Sequence, residues 1–183
     1  MRRHRLRGLL LVLVSICTFA LAAPAGAAGP ETATSAEVSE LVAAVKEQRS
    51  KTWHWQRVMG KRPLPTNFTE ERTTDLARLT FLRDLWTKRA ARARARGRRP
   101  PHRAAWLCIH RHEGRWTDPN APYYGGLQMS IQFQRAHGRY LLRLKGTANR
   151  WTPVEQMWTA ELALLAGNGF RPWPNTARRC GLL

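Results

Sequence analysis

Residues 97–101 read Gly-Arg-Arg-Pro-Pro, and neither a helix nor a strand runs through such a stretch. Pro100 and Pro101 each fix φ and lack a backbone donor, while Gly97 adds conformational freedom just before them. The 183-residue chain is thereby cut into two stretches, each long enough for one small unit and no more. Self-similarity at the spacing of solenoid or propeller repeats is not visible on either side. Eight tryptophans argue for a packed interior, since disordered chains are poor in aromatics.

The N-terminal stretch opens with Arg2, Arg3, Arg5 and Arg7, an apolar run from Leu9 to Ala22, and then Ala25-Gly26-Ala27. That is the order of a secretory signal: basic, apolar, small-residue cleavage site. The apolar run falls short of the roughly 20 residues that a membrane span needs. Ile16 is not the small residue expected before a lipidated cysteine. Residues 1–28 are therefore expected to be a signal peptide and the rest to be secreted. Losing its four arginines takes the formal charge from +19 to +15. Cys17 leaves with the signal, and the remaining Cys108 and Cys180 are expected to pair in an oxidising compartment. In chain-entropy terms a loop of roughly 72 residues is stabilised by about 4 kcal/mol, which matters to a domain with a small core. Zinc is disfavoured because no C-x-x-C pair exists.

Residues 29–97 read as a basic α-helical hairpin. Thr34 and Glu37 form a capping-box pattern, and Val38, Leu41, Val42 and Val45 follow at helical spacing toward Met59 and Gly60. Pro63 and Pro65 make the turn. A second helix is expected from Thr69, with Glu70 and Glu71 in its first turn and a stripe of Leu76, Leu79, Leu82, Leu85 and Trp86. The Ala/Arg run that follows is compatible with a helix. The hairpin is either packed on the next domain or partly mobile. Its arginines read as a solvated face or a contact for anionic wall polymers. Nucleic acid is disfavoured, because the chain carries an export signal and its tryptophans do not interleave with its arginines.

From residue 98 to 183 the reading is a mainly α domain with a small extended element. A helix over 103–113 buries Trp106, Ile109 and Leu107 and stops at Gly114. Tyr123 to Met129 is extended, Ser130 caps a helix ending at Gly138, and Thr152-Pro153-Val154-Glu155 starts another that runs to Gly167. A short turn of helix then carries Cys180.

Carboxylates filter the chemistry sharply, because only Glu113, Asp118, Glu155 and Glu161 occur in this domain. Glu155 belongs to the capping box, Glu161 to the same helix, and Asp118 to a turn before Pro119. Glu113 is left, at the last turn of a helix and beside a segment holding Trp116, Tyr123 and Tyr124. A helix C-terminus and partial burial against aromatic rings both favour a neutral carboxyl, the form a general acid needs. Arg111, His112 and Arg115 oppose it, so from position alone Glu113 reads either as a general acid or as a helix-end surface acid. His110 and His112 stand two residues apart, which on a helix sends them to different faces, so a metal site is not expected. No serine stands in G-x-S-x-G, and Gly125-Gly126 lacks the surroundings of a phosphate loop.

Three stretches, Glu113-Gly114-Arg115-Trp116, Tyr123-Tyr124-Gly125-Gly126-Leu127-Gln128-Met129, and Trp173-Pro174 ahead of Cys180, together resemble the transglycosylase-like domain of resuscitation-promoting factors. Those are secreted wall enzymes of lysozyme fold, and the likeness covers roughly residues 101–181. It departs in three places: Ile109 to His112 separate Cys108 from Glu113, Trp116 follows Glu113 more closely than the family's tryptophan does, and the spacing from Trp116 to Tyr123 is slightly short. The resemblance implies a small lysozyme-like domain that cleaves the β-1,4 bond between N-acetylmuramic acid and N-acetylglucosamine in peptidoglycan. It implies Glu113 as the catalytic acid, Tyr124 and Gln128 along the sugar cleft, and Trp116 and Trp173 as its walls. It also implies a Cys108–Cys180 disulfide, a monomer, and no cofactor.

With one carboxylate, the substrate's acetamido group would support charge at the anomeric carbon. Glu113 would then direct either the sugar's own C6 hydroxyl, making a lytic transglycosylase, or water, making a muramidase with Asp118 as its second carboxylate. The lytic route is favoured. The rival classes are a non-catalytic glycan-binding module and a cationic membrane-active protein.

Overall fold

The computed structural model describes residues 34–69 and 72–183, so the signal peptide assigned to residues 1–28 and the pair Glu70 and Glu71 lie outside the described residues. Thr34 opens the first helix as its sequence demands: its Oγ1 accepts from the Glu37 amide, and the Glu37 carboxylate accepts from the Thr34 amide. Helix α1 (Ser35–Val58) runs from that cap and ends before Gly60. Gly60 has φ +68°, the left-handed region that glycine enters without steric cost. The proline turn is pinned to α1, since Trp53 Nε1 donates to the Leu64 carbonyl and the Leu64 amide donates to Gln56 Oε1.

Helix α2 (Leu76–Gly97) begins later than Thr69. Asp75 is the reason: its Oδ1 accepts from the amides of Ala77 and Arg78, satisfying two of the four free donors that begin a helix. Its buried stripe is Leu79, Leu82, Trp86, Ala90, Ala93 and Gly97, large at one end and small at the other. The large end closes on Val45 with Trp53 set edge-on to Trp86, as the hairpin's own small core. The small end admits Trp55, whose ring would lie 2.1 Å from a Cβ at Gly97. Arg92, Arg94 and Arg96, set among the buried Ala90, Ala93 and Gly97, are exposed.

The C-terminal part contains α3 (Arg103–Glu113), a two-stranded ribbon of β1 (Tyr123–Tyr124) and β2 (Met129–Ser130), and helices α4 (Ile131–His137) and α5 (Arg139–Lys145). A 3-10 turn (Ala148–Arg150), α6 (Pro153–Ala163), a π turn (Leu164–Asn168) and α7 (Pro174–Arg179) complete it. The fold is mainly α, as expected. The ribbon is antiparallel, pairing Tyr123 with Ser130 and Tyr124 with Met129. Ser130 caps α4 through the Phe133 amide, and Thr152 with Glu155 forms the capping box of α6. Helix α5 is an element the sequence reading did not separate. Among the described residues, no helix is long and apolar enough to cross a membrane.

Ala33–Leu183 is one compact unit, and the hairpin packs on the C-terminal part. Val58 and Met59 of the α1 end lie in the same core as Trp106, Ile109, Leu127, Met157 and Trp158. Trp158 Nε1 donates to the Gly97 carbonyl. His54 reaches Tyr140 through Nδ1 at 3.0 Å and the buried Glu155 through Nε2 at 3.3 Å.

Candidate active site

Glu113 is the last residue of α3, and buried polar contacts fix where that helix points. Trp106 and Ile109 are fully enclosed. Trp106 Nε1 and the His102 amide both donate to Glu161 Oε1, at 2.8 and 2.7 Å, and His102 Nδ1 lies 2.9 Å from Oε2. Glu161 is thus an inward anchor between α6 and the start of α3. At the other end, a disulfide joins Cys108 to Cys180 with a Cα–Cα distance of 6.0 Å. It fastens α3 to the residue that closes α7. Helix α7 carries Thr176, whose Oγ1 donates to Glu113 Oε1 at 2.7 Å. The carboxylate is half-buried and held by one hydroxyl.

An open cleft of about 480 Å³ adjoins it, lined by His112, Glu113, Gly114, Arg115 and Trp116 among others. Gly114 is the meeting point for two more of the expected residues. A Cβ placed there would stand 3.0 Å from Gln128 Nε2 and 3.4 Å from Asp118 Oδ2. Gln128 adopts φ +47°, the left-handed region that non-glycine residues seldom enter. Its Nε2 donates to Asp118 Oδ2 at 2.8 Å and to the Gly125 carbonyl at 3.0 Å. Asp118 Oδ1 accepts from the Asn120 amide and from Asn120 Nδ2, so both its oxygens are engaged. Glu113, Asp118 and Gln128 therefore converge on one short stretch of backbone.

Trp116 stacks on His110, with centroids 3.9 Å apart and planes 22° from parallel. His110 Nδ1 lies 3.1 Å from the Gly126 carbonyl. A Cβ at Gly126 would come within 2.6 Å of both His110 Nδ1 and Trp116 Cε3, so only glycine lets the ribbon approach this pair. Tyr124 is half-buried in β1 beside the exposed Tyr123.

Trp173 does not shape the cleft. It is 4% exposed, packed edge-on to Trp106 and Phe133, and its Nε1 donates to the Leu127 carbonyl. This corrects the expectation that it forms a sugar-facing wall: its ring is enclosed by the core, and it holds the ribbon in place from below.

Gln156 is the residue that the sequence reading missed. It is fully buried on α6. Its Oε1 accepts from the Gly126 amide at 2.8 Å, and its Nε2 donates to the carbonyls of Trp116 and Ala148, each at 2.8 Å. One side chain thereby fixes both the ribbon and the Trp116 turn. A glutamine between the apolar faces of Val154, Met157 and Trp158 was the available signal.

Its neighbour Glu155 is 2% exposed. Lys145 Nζ donates to both its oxygens at 2.7 and 2.8 Å, and the Thr152 amide donates to Oε2 at 2.8 Å. Burial opposes its ionisation, yet the bonds from His54, Lys145 and Thr152 outweigh burial and lower its pKa from 4.5 to about 2. Glu155 therefore stays charged at neutral pH and locks α6, α5 and α1 together.

The histidines do point apart. His110 turns to Gly126 and Trp116, whereas the exposed His112 comes within 4.8 Å of the two cysteine sulfurs. Sulfurs joined in a disulfide offer no thiolate to a metal. No family model, curated protein or solved structure matches this chain.

Proposed function

We propose that this protein is a secreted peptidoglycan-cleaving glycosidase, acting on the N-acetylmuramic acid–β1,4–N-acetylglucosamine bond with Glu113 as its single acid and base. The observation that carries the reading is the juxtaposition at Gly114. A half-buried carboxylate in an open cleft is held by Thr176, and the Gln128–Asp118 pair borders the next residue.

Glu113 would donate its proton to the glycosidic oxygen as the C1–O bond breaks, and the substrate's acetamido oxygen would support the cationic carbon. The resulting carboxylate would then take the proton of the C6 hydroxyl, whose oxygen closes on C1 to give a 1,6-anhydro end. Thr176 donates to only one Glu113 oxygen, so the other is available for proton transfer. Asp118 is occupied by three donors, from Gln128 and Asn120, and is a poor candidate for activating water. That favours the lytic product over the hydrolytic one. Trp116, backed by His110, would offer ring surface to a sugar, and Tyr124 and Gln128 would border it.

The test is digestion of purified sacculi by the wild type and Glu113→Gln, with products read by mass spectrometry. Anhydro-muramyl ends from the wild type alone are expected. Reducing ends would replace the lytic step by hydrolysis and return Asp118 to consideration. Intact glycan with both proteins, but undiminished wall binding, would make this a glycan-binding module.

A further inference from the structure

The hairpin carries a second candidate site, remote in sequence from Glu113. Between α1 and α2 lies a groove of about 300 Å³ whose lining includes Lys61, Arg89, Arg92 and Arg96 over a floor of Thr52, Gln56 and Met59. The three arginines recur at helical spacing on one side of α2, next to the buried Ala93. Among the described residues none of the four cations forms an ion pair, and the groove lining contains no carboxylate. The segment from Lys88 to Arg99 holds seven cations and no acid. Arg89 is additionally laid over the Trp86 ring at 4.7 Å, which orients it.

We infer that this groove binds a flexible linear polyanion whose repeating unit carries no aromatic base. Four unpaired cations facing one groove repel one another and are stabilised by an anion that spans them. At 1.5 Å per residue, Arg89 and Arg96 stand roughly 10 Å apart along the helix, so a single small anion does not satisfy them all. Guanidinium groups donate paired N–H bonds to phosphate and carboxylate oxygens, so a chain bearing either group fits. Single-stranded nucleic acid needs aromatic platforms as well as charge, and the groove lining has none. The inference does not depend on glycan cleavage, because binding is read without turnover.

The experiment measures binding of poly(glycerol phosphate), polyglutamate and an oligothymidylate to the purified protein across a salt series. It compares the wild type, the groove variant Arg89→Gln/Arg92→Gln/Arg96→Gln, and a charge-matched control, Arg135→Gln/Arg139→Gln/Arg143→Gln, on the exposed side of α4 and α5. Circular dichroism and melting confirm that each variant is folded. The groove variant is expected to bind one or both base-free polymers at least about tenfold more weakly at low salt. Its log Kd against log salt slope should fall by about 2, at ~0.7 per lost contact. The control should lose little of either. Polyglutamate and poly(glycerol phosphate) separate the carboxylate source from the phosphate source. Equal losses in the two variants would reduce the groove to generic surface charge. Tighter, groove-dependent binding of the oligothymidylate would replace the base-free ligand by nucleic acid; either result overturns the inference.

Discussion

Acidification should weaken the contacts through which Glu155 joins α6 to α5 and α1. This carboxyl has a pKa of about 2 in the fold against an ordinary 4.5. Between those values the unfolded chain binds a proton that the folded chain refuses, so stability rises with pH there. The contribution is complete above about pH 4.5 and is lost as pH falls toward 2. At about 1.4 kcal/mol per pKa unit the gap amounts to roughly 3 kcal/mol. For a unit of this size that corresponds to roughly 6–12 °C in Tm. Urea unfolding of the wild type and Glu155→Gln, measured from about pH 6 down to about pH 2.5, tests this directly. At the upper end the variant should be less stable by about 3 kcal/mol or more, since it strands the Lys145 charge on a buried acceptor. The two curves should converge as the wild-type carboxyl protonates. A constant difference across the whole range would refute the reasoning, because it would mean that Glu155 stabilises by shape and not by charge. The same transition should loosen the start of α6 and, with it, Gln156 and the cleft it braces.

Other perturbations address the site and its frame. Reducing the Cys108–Cys180 bridge, which closes a separation of 72 residues, should lower Tm by several degrees. Two free thiols titrated in the native protein would contradict the bridge. Gln156→Leu keeps the bulk of the side chain but strands the Gly126 amide and two or more carbonyls. It should cost about 2–4 kcal/mol in denaturant unfolding and abolish activity on sacculi, and a loss below ~1 kcal/mol would remove its bracing role. Thr176→Val retains shape while deleting the donor to Glu113. Turnover on sacculi should fall about tenfold, the scale of one hydrogen bond worth about 1.4 kcal/mol. Glycan binding and Tm should change little, and unchanged turnover would show that Thr176 does not position the acid.

Local chemistry was legible without coordinates wherever a few neighbouring residues decide the outcome. The Thr34–Glu37 and Thr152–Glu155 boxes and the Ser130 cap each close within three residues, and all formed as read. The start of α2 was misplaced because the side-chain cap that forms is Asp75, six residues past Thr69, on the amides of Ala77 and Arg78. Glu113 emerged as the unassigned carboxylate, and the geometry then gave it Thr176 from across the fold as a partner.

Composition, punctuation and periodicity thus determined by themselves a mainly helical chain and a proline-bounded hairpin. The tertiary structure alone decided which polar groups are anchors and which aromatics are core. Trp173 reaches across 46 residues to Leu127, Trp106 across 55 to Glu161, and Gln156 across 40 to Trp116. None of these pairs has a periodic signature. A buried donor or acceptor is satisfied by whichever atom the packed helices bring opposite it, and that neighbour is set by the whole core rather than by the adjoining sequence.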